Sequence, residues 1–111
     1  MANTFKRYTS RAIGTSATAV GSYTVGASTQ TTVIGLTVAN ITANSINVDI
    51  THVDVSSNVT YIVKGAPVPN GGALVAVGGD QKIVLQTGDQ IKVTANTVSS
   101  ADAIMSILEI T

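Results

Sequence analysis

Residues 45–52 read Ser45-Ile46-Asn47-Val48-Asp49-Ile50-Thr51-His52. In an extended chain successive side chains point to opposite faces. Ile46, Val48 and Ile50 therefore share one face, and Asn47, Asp49 and Thr51 share the other. That is a strand with one side in a core. The same alternation recurs on either side of it. Ile34, Leu36 and Val38 oppose Gly35 and Thr37, and Ile91, Val93 and Ala95 oppose Lys92 and Thr94.

Composition extends this reading to the whole chain. Of 111 residues, 15 are Val, 11 Ile and 16 Thr, the branched side chains that suit a pleated sheet. A β-branched, charge-poor sequence is the opposite of a disordered composition. The length fits one domain. Only 11% of the residues are charged, against about a quarter in an ordinary globular chain. Part of the surface is therefore expected to be covered by another molecule.

Gly and Asn punctuate the chain every 8 to 12 residues, the spacing of small sandwiches and barrels. Eight strands are expected, near residues 17–25, 31–40, 45–55, 59–64, 73–77, 81–86, 90–96 and 102–110. Ser57-Asn58, Asn70-Gly71-Gly72, Gly78-Gly79-Asp80 and Gly88-Asp89 mark turns, with Asn58 suited to a positive φ. Pro67 and Pro69 place residues 66–70 at or beyond a sheet edge. No helix longer than one turn is expected. The fold class is all-β: a single antiparallel β-sandwich, jelly-roll or immunoglobulin-like, with an extended N-terminal arm. Residues 1–14 form the arm and 15–111 the sandwich domain.

The arm is singled out by charge. Lys6, Arg7 and Arg11 give residues 1–11 a net +3, which leaves −3 for the remainder of a neutral chain. It also holds Phe5 and Tyr8, two of four aromatic residues. The segment is either a frayed terminus with a few solvated charges or an extension that docks on a neighbouring subunit through its aromatics and cations, and docking is the sharper reading. The last strand is the other anomaly. Ile104, Leu108 and Ile110 lie on one side and Met105 and Ile107 on the other, so the strand is either central or at a subunit contact. The contact is the weightier reading, because each strand of a two-sheet sandwich has one outer face. The expected subunit contacts are Phe5, Lys6, Arg7, Tyr8, Arg11, Met105 and Ile107.

Catalytic groups are scarce. The chain has one His, six carboxylates and no Cys, too little for a convergent site. His52 is in phase with the apolar side of its strand and reads as a partly buried structural residue. Asp49 projects away from it, and His52 with Asp54 would fill only part of a metal shell. No nucleophile elbow or phosphate loop is present, so the glycines read as turns and Asp80 and Asp89 as turn caps. The sequons Asn40-Ile41-Thr42 and Asn58-Val59-Thr60 are matches that chance supplies. Neutral charge argues against nucleic acid. No run reaches the roughly 18 apolar residues of a transmembrane helix, and the N-terminus lacks a signal-peptide apolar run. A protein without enzymatic activity, without metal or other cofactor, made in the cytoplasm, is the expectation.

Several stretches resemble small virion structural proteins of tailed bacteriophages, cyanophages among them. They are residues 1–6 (Met-Ala-Asn-Thr-Phe-Lys), residues 32–40, the corner from Tyr61-Ile62-Val63-Lys64 through Pro67-Val68-Pro69-Asn70-Gly71-Gly72, and residues 82–89 ending in Gly88-Asp89. The resemblance covers nearly the whole chain and implies a β-sandwich serving as capsid decoration, or as a tail, fibre or head–tail component. It implies a virion location, with copies of itself and other virion proteins as partners. It brings no catalytic residues. The competing class is a carbohydrate-binding module recognising a host glycan, for which Tyr23 and Tyr61 are the platforms to test.

Overall fold

In the computed structural model, which describes residues 2–78 and 80–111, the strand of the opening stretch is β4 (Ile46–Val53). Ile46, Val48 and Ile50 are buried along it, as the alternation requires. Around it lie β1 (Asn3–Ile13), β2 (Thr18–Ala19), β3 (Gln30–Asn40), β5 (Val59–Val68), β6 (Ala73–Val77), β7 (Ile83–Leu85), β8 (Gln90–Ala95) and β9 (Ala101–Ile110). All pairings between these strands are antiparallel. One sheet runs β1-β9-β3-β6, with β7 also on β3; the other runs β2-β8-β4-β5. The sandwich is thus built from nine strands rather than eight. Met1 and Gly79, the latter from the expected Gly78-Gly79-Asp80 turn, lie outside the described residues.

Most connections carry the chain from one sheet to the other, so the two inner faces close on a shared core. Val33, Leu36, Val38, Ile91, Val93, Met105 and Ile107 meet there. Burial of these side chains contributes roughly 1.5–3 kcal/mol each before the entropy of ordering them is set against it.

The largest departure from expectation is at the N-terminus. Residues 3–13 do not extend as an arm; they form β1, paired with β9 from Asn3↔Ile110 to Ser10↔Ala103. Its inner side is Lys6, Tyr8 and Ser10, a polar set that carries no hydrophobic alternation, which is why pattern reading passed over it. The register then shifts before Ile13, where Ala12 takes φ +54°.

Smaller departures have local causes. The strand expected over 17–25 shrinks to two ladder residues followed by a 3-10 turn at Val20–Ser22. Gly21 there has φ +61°, and a Cβ on it would lie 2.6 Å from Cβ of Tyr8. Only glycine lets β1 pass so close. β5 runs on through Pro67, which is tolerated because β5 is a sheet edge. In the β4–β5 turn the positive φ falls on Ser57 rather than Asn58, and Asp54 caps the amides of Ser56 and Asn58 on either side of it.

Candidate functional site

β9 settles where the surface of interest lies. It is central, flanked by β1 and β3. Met105 and Ile107 are 1% and 0% exposed, so they are core residues and not subunit contacts. Asp102 and Ser106 share a phase with Ile104 and Leu108, a polar hint that the apolar residues on both sides of the strand mask. Ile104 is 45% exposed.

The outer face of the five-stranded sheet therefore carries the apolar excess. Directly opposed residues share a face, which gives two rows across the strands. Phe5, Leu108, Thr32 and Val84 form one, and Thr9, Ile104, Thr37 and Val75 the other. Phe5 is 75% exposed, and Val75 and Val84 are exposed as well. Arg7, opposite Ser106, stands between the rows at the β1 edge. Arg11 lines a groove of about 390 Å³ with Thr9, Asp102 and Ile104. Among the described residues neither arginine has a carboxylate at ion-pair distance; Asp102 instead accepts the Ala12 amide at 2.8 Å.

The sheet edges differ in how open they are. β2 and β7 are very short, and β5 is broken by register shifts and Pro67. β1 is eleven residues long and pairs on one side only. Long free edges are templates for another chain unless blunted.

Two of the expected contacts are engaged within the chain. The Lys6 ammonium lies 2.9 Å from Glu109 Oε1. The Tyr23 hydroxyl donates to Glu109 Oε2 at 2.7 Å and lies 2.7 Å from Thr31 Oγ1. The Tyr23 hydrogen bond first, and Lys6 second, hold the Glu109 carboxyl below the usual range. Burial pushes the Tyr23 phenol up. Tyr8 packs on Tyr23 with ring centroids 4.5 Å apart. Lys6 and Tyr8 thus fasten β1 to its own sandwich, and Phe5, Arg7 and Arg11 are the members of the expected set that face outward.

His52 lies near a different acid from the one expected. Its Nε2 is 2.9 Å from Oδ2 of Asp89, which also accepts the Gln86 amide at 2.9 Å. Asp89 therefore caps its turn, as its position after Gly88 suggested, and anchors β4 to it. Asp54 is occupied by the β4–β5 turn, and its carboxyl is held low chiefly by Asn58. Among the described residues no group of three His, Cys, Asp or Glu side chains is placed to hold a metal. Among the same residues no helix is long and apolar enough to cross a membrane. The first sequon is structural: Asn40 is buried, its amide donating to the carbonyls of Asn44 and Val68 while its oxygen accepts from Thr42.

No protein-family model matches the chain, and no curated protein matches it. Among solved structures, 96% of the chain aligns with 35% of a chain from infectious bursal disease virus, Gt strain, at 6% identity and a TM-score of 0.42. A chain of the T13 particle of the same virus gives 6% identity and 0.45, and one of the Gx strain 12% and 0.43. The chain spans about a third of the length of the structures it matches.

Proposed function

We propose that the chain is a non-enzymatic structural subunit of a virion, a capsid decoration protein of a tailed phage that assembles as a homo-oligomer on the particle. The observation that carries the reading is the outer face of the five-stranded sheet. Monomeric soluble proteins rarely leave contiguous apolar surface bare, and here Phe5, Ile104, Val75 and Val84 stand exposed beside two arginines that, among the described residues, have no carboxylate at ion-pair distance. The sequence resemblance to small phage virion proteins supplies the kind of particle. Association through this face is driven by apolar burial, roughly 25 cal/mol per Å² before the costs of association. Exposed arginine pairs add about 0–1 kcal/mol each and fix orientation.

The test is oligomeric state and copy number. Native mass spectrometry at micromolar concentration is expected to show oligomers. Quantitative peptide counting on purified particles is expected to show hundreds of copies. A monodisperse monomer absent from particles would overturn the reading, and a few copies per particle would move it to a tail, fibre or head–tail component.

A further inference from the structure

The opposite face of the sandwich carries a groove that assembly leaves unexplained. On the outer side of the β8-β4-β5 sheet, Tyr61, Thr51 and Lys92 are directly opposed across three strands, and Asp49 and Thr94 form the next rung. With neighbouring small and apolar side chains they enclose about 340 Å³. Tyr61 is 49% exposed, and the Lys64 ammonium lies over its ring, 5.0 Å from the centroid. Asp49 gives one oxygen to the Gly65 amide at 2.7 Å, leaving the other for a second donor. Neither Lys92 nor the Thr94 hydroxyl has a side-chain partner among the described residues.

We infer that this groove is a saccharide-binding site. A sugar ring presents an apolar C–H face and a rim of hydroxyls, each both donor and acceptor. It needs a flat π surface beside fixed polar groups of both kinds. Tyr61 supplies the surface, the Asp49 carboxylate accepts, the Lys92 ammonium donates, and the Thr94 hydroxyl does either. Strands lie about 4.8 Å apart, so Tyr61 and Lys92 are separated by roughly 10 Å, the scale of a disaccharide. Other ligand classes fit less well. A phosphate or an acidic peptide would pair with Lys92 but meet the Asp49 carboxylate on the next rung, and an aliphatic ligand would strip water from these charges without replacing their hydrogen bonds. The other aromatic residues offer no comparable site: Tyr23 is buried, Tyr8 is stacked upon it, and Phe5 lies on the assembly face. The two faces are independent, so this inference stands or falls apart from the virion reading.

The full chain is screened on an array of printed bacterial and eukaryotic oligosaccharides, and the strongest hit is titrated in solution by NMR. Saturable, fast-exchange binding is expected, with amide shifts at residues 49, 51, 61, 92 and 94. Tyr61→Ala is expected to lower affinity about ten-fold or more, and Thr94→Val, which leaves the ring in place, to weaken it less. Phe5→Ala should leave it unchanged. No saturable binding to any printed glycan would overturn the inference, as would binding undiminished by Tyr61→Ala or shifts confined to the five-stranded sheet.

Discussion

Lys6 and Glu109 meet at 2.9 Å on the inner side of the β1–β9 ladder, as diagonal neighbours rather than as a directly opposed pair. Glu109 is turned toward Tyr23 at the same time. One carboxylate thereby joins the first strand, the last strand and the segment that follows the 3-10 turn. Tyr23→Phe keeps the ring stacked on Tyr8 and removes only the hydroxyl. It is expected to cost about 1 kcal/mol in urea unfolding, and the Lys6–Glu109 contact should survive.

The pH dependence follows from the same network. Glu109 titrates below its ordinary 4.5 in the folded chain, so its contribution is present above that value and is lost as pH falls through the lower folded value. Tyr23 is raised from 10.0, so its contribution is intact below pH 10 and fades as pH rises further. Melting curves should therefore weaken at both ends. Glu109→Gln should flatten the acid limb, and Tyr23→Phe the alkaline one.

Which side of β9 faces the core can be read from a pair of substitutions. Met105→Ala opens a cavity and is expected to cost about 2–5 kcal/mol. Ile104→Ser, one residue away on the opposite face, should change monomer stability by no more than about 0.5 kcal/mol while abolishing oligomers in native mass spectrometry. Oligomers unaffected by Ile104→Ser together with Phe5→Ser would place the contact elsewhere.

Truncation separates the two halves of β1. Removing residues 2–7 takes away Phe5, Lys6 and Arg7, which bury little, and should leave a folded chain with weakened assembly. Removing residues 2–13 also takes Ile13, which is fully buried, and should abolish the cooperative transition seen by circular dichroism.

Gly21→Ala is expected to destabilise by at least about 1–2 kcal/mol from the left-handed backbone alone, with a further cost from contact with Tyr8. Combining it with Tyr8→Ala should recover the contact portion and not the backbone portion. A double-mutant cycle in urea measures that split.

The strands of the two middle pairings were legible because period-two alternation is a local property, as in Ile46-Asn47-Val48-Asp49-Ile50 and in Ile91-Lys92-Val93-Thr94-Ala95. β6 emerged with the expected bounds, since Asn70-Gly71-Gly72 fixes its start. β1 was not legible as a strand, because its inner side chains are polar and find their partners on β9 and at Tyr23. The outward-facing Phe5, Arg7 and Arg11 were identifiable from charge and aromatic content. Met105 and Ile107 were misassigned because both sides of their strand are apolar. The Tyr61 groove was half visible: the tyrosine stood out, but its company did not, because Asp49, Thr51, Lys92 and Thr94 come from strands far apart in the chain.

What the amino-acid order determined by itself is a β-protein with turns at nameable positions and too little charge to cover its own surface. Steric preference, pleat and turn chemistry act residue by residue, and they can be read that way. Only the tertiary structure decided that residues 3–13 close one sheet as an edge strand, and that Met105 turns inward while Ile104 turns out. Alternation divides a strand into two faces but does not say which one the second sheet will cover. That choice belongs to the packing of β9 between β1 and β3, and it sets which apolar residues are left exposed on the outer face.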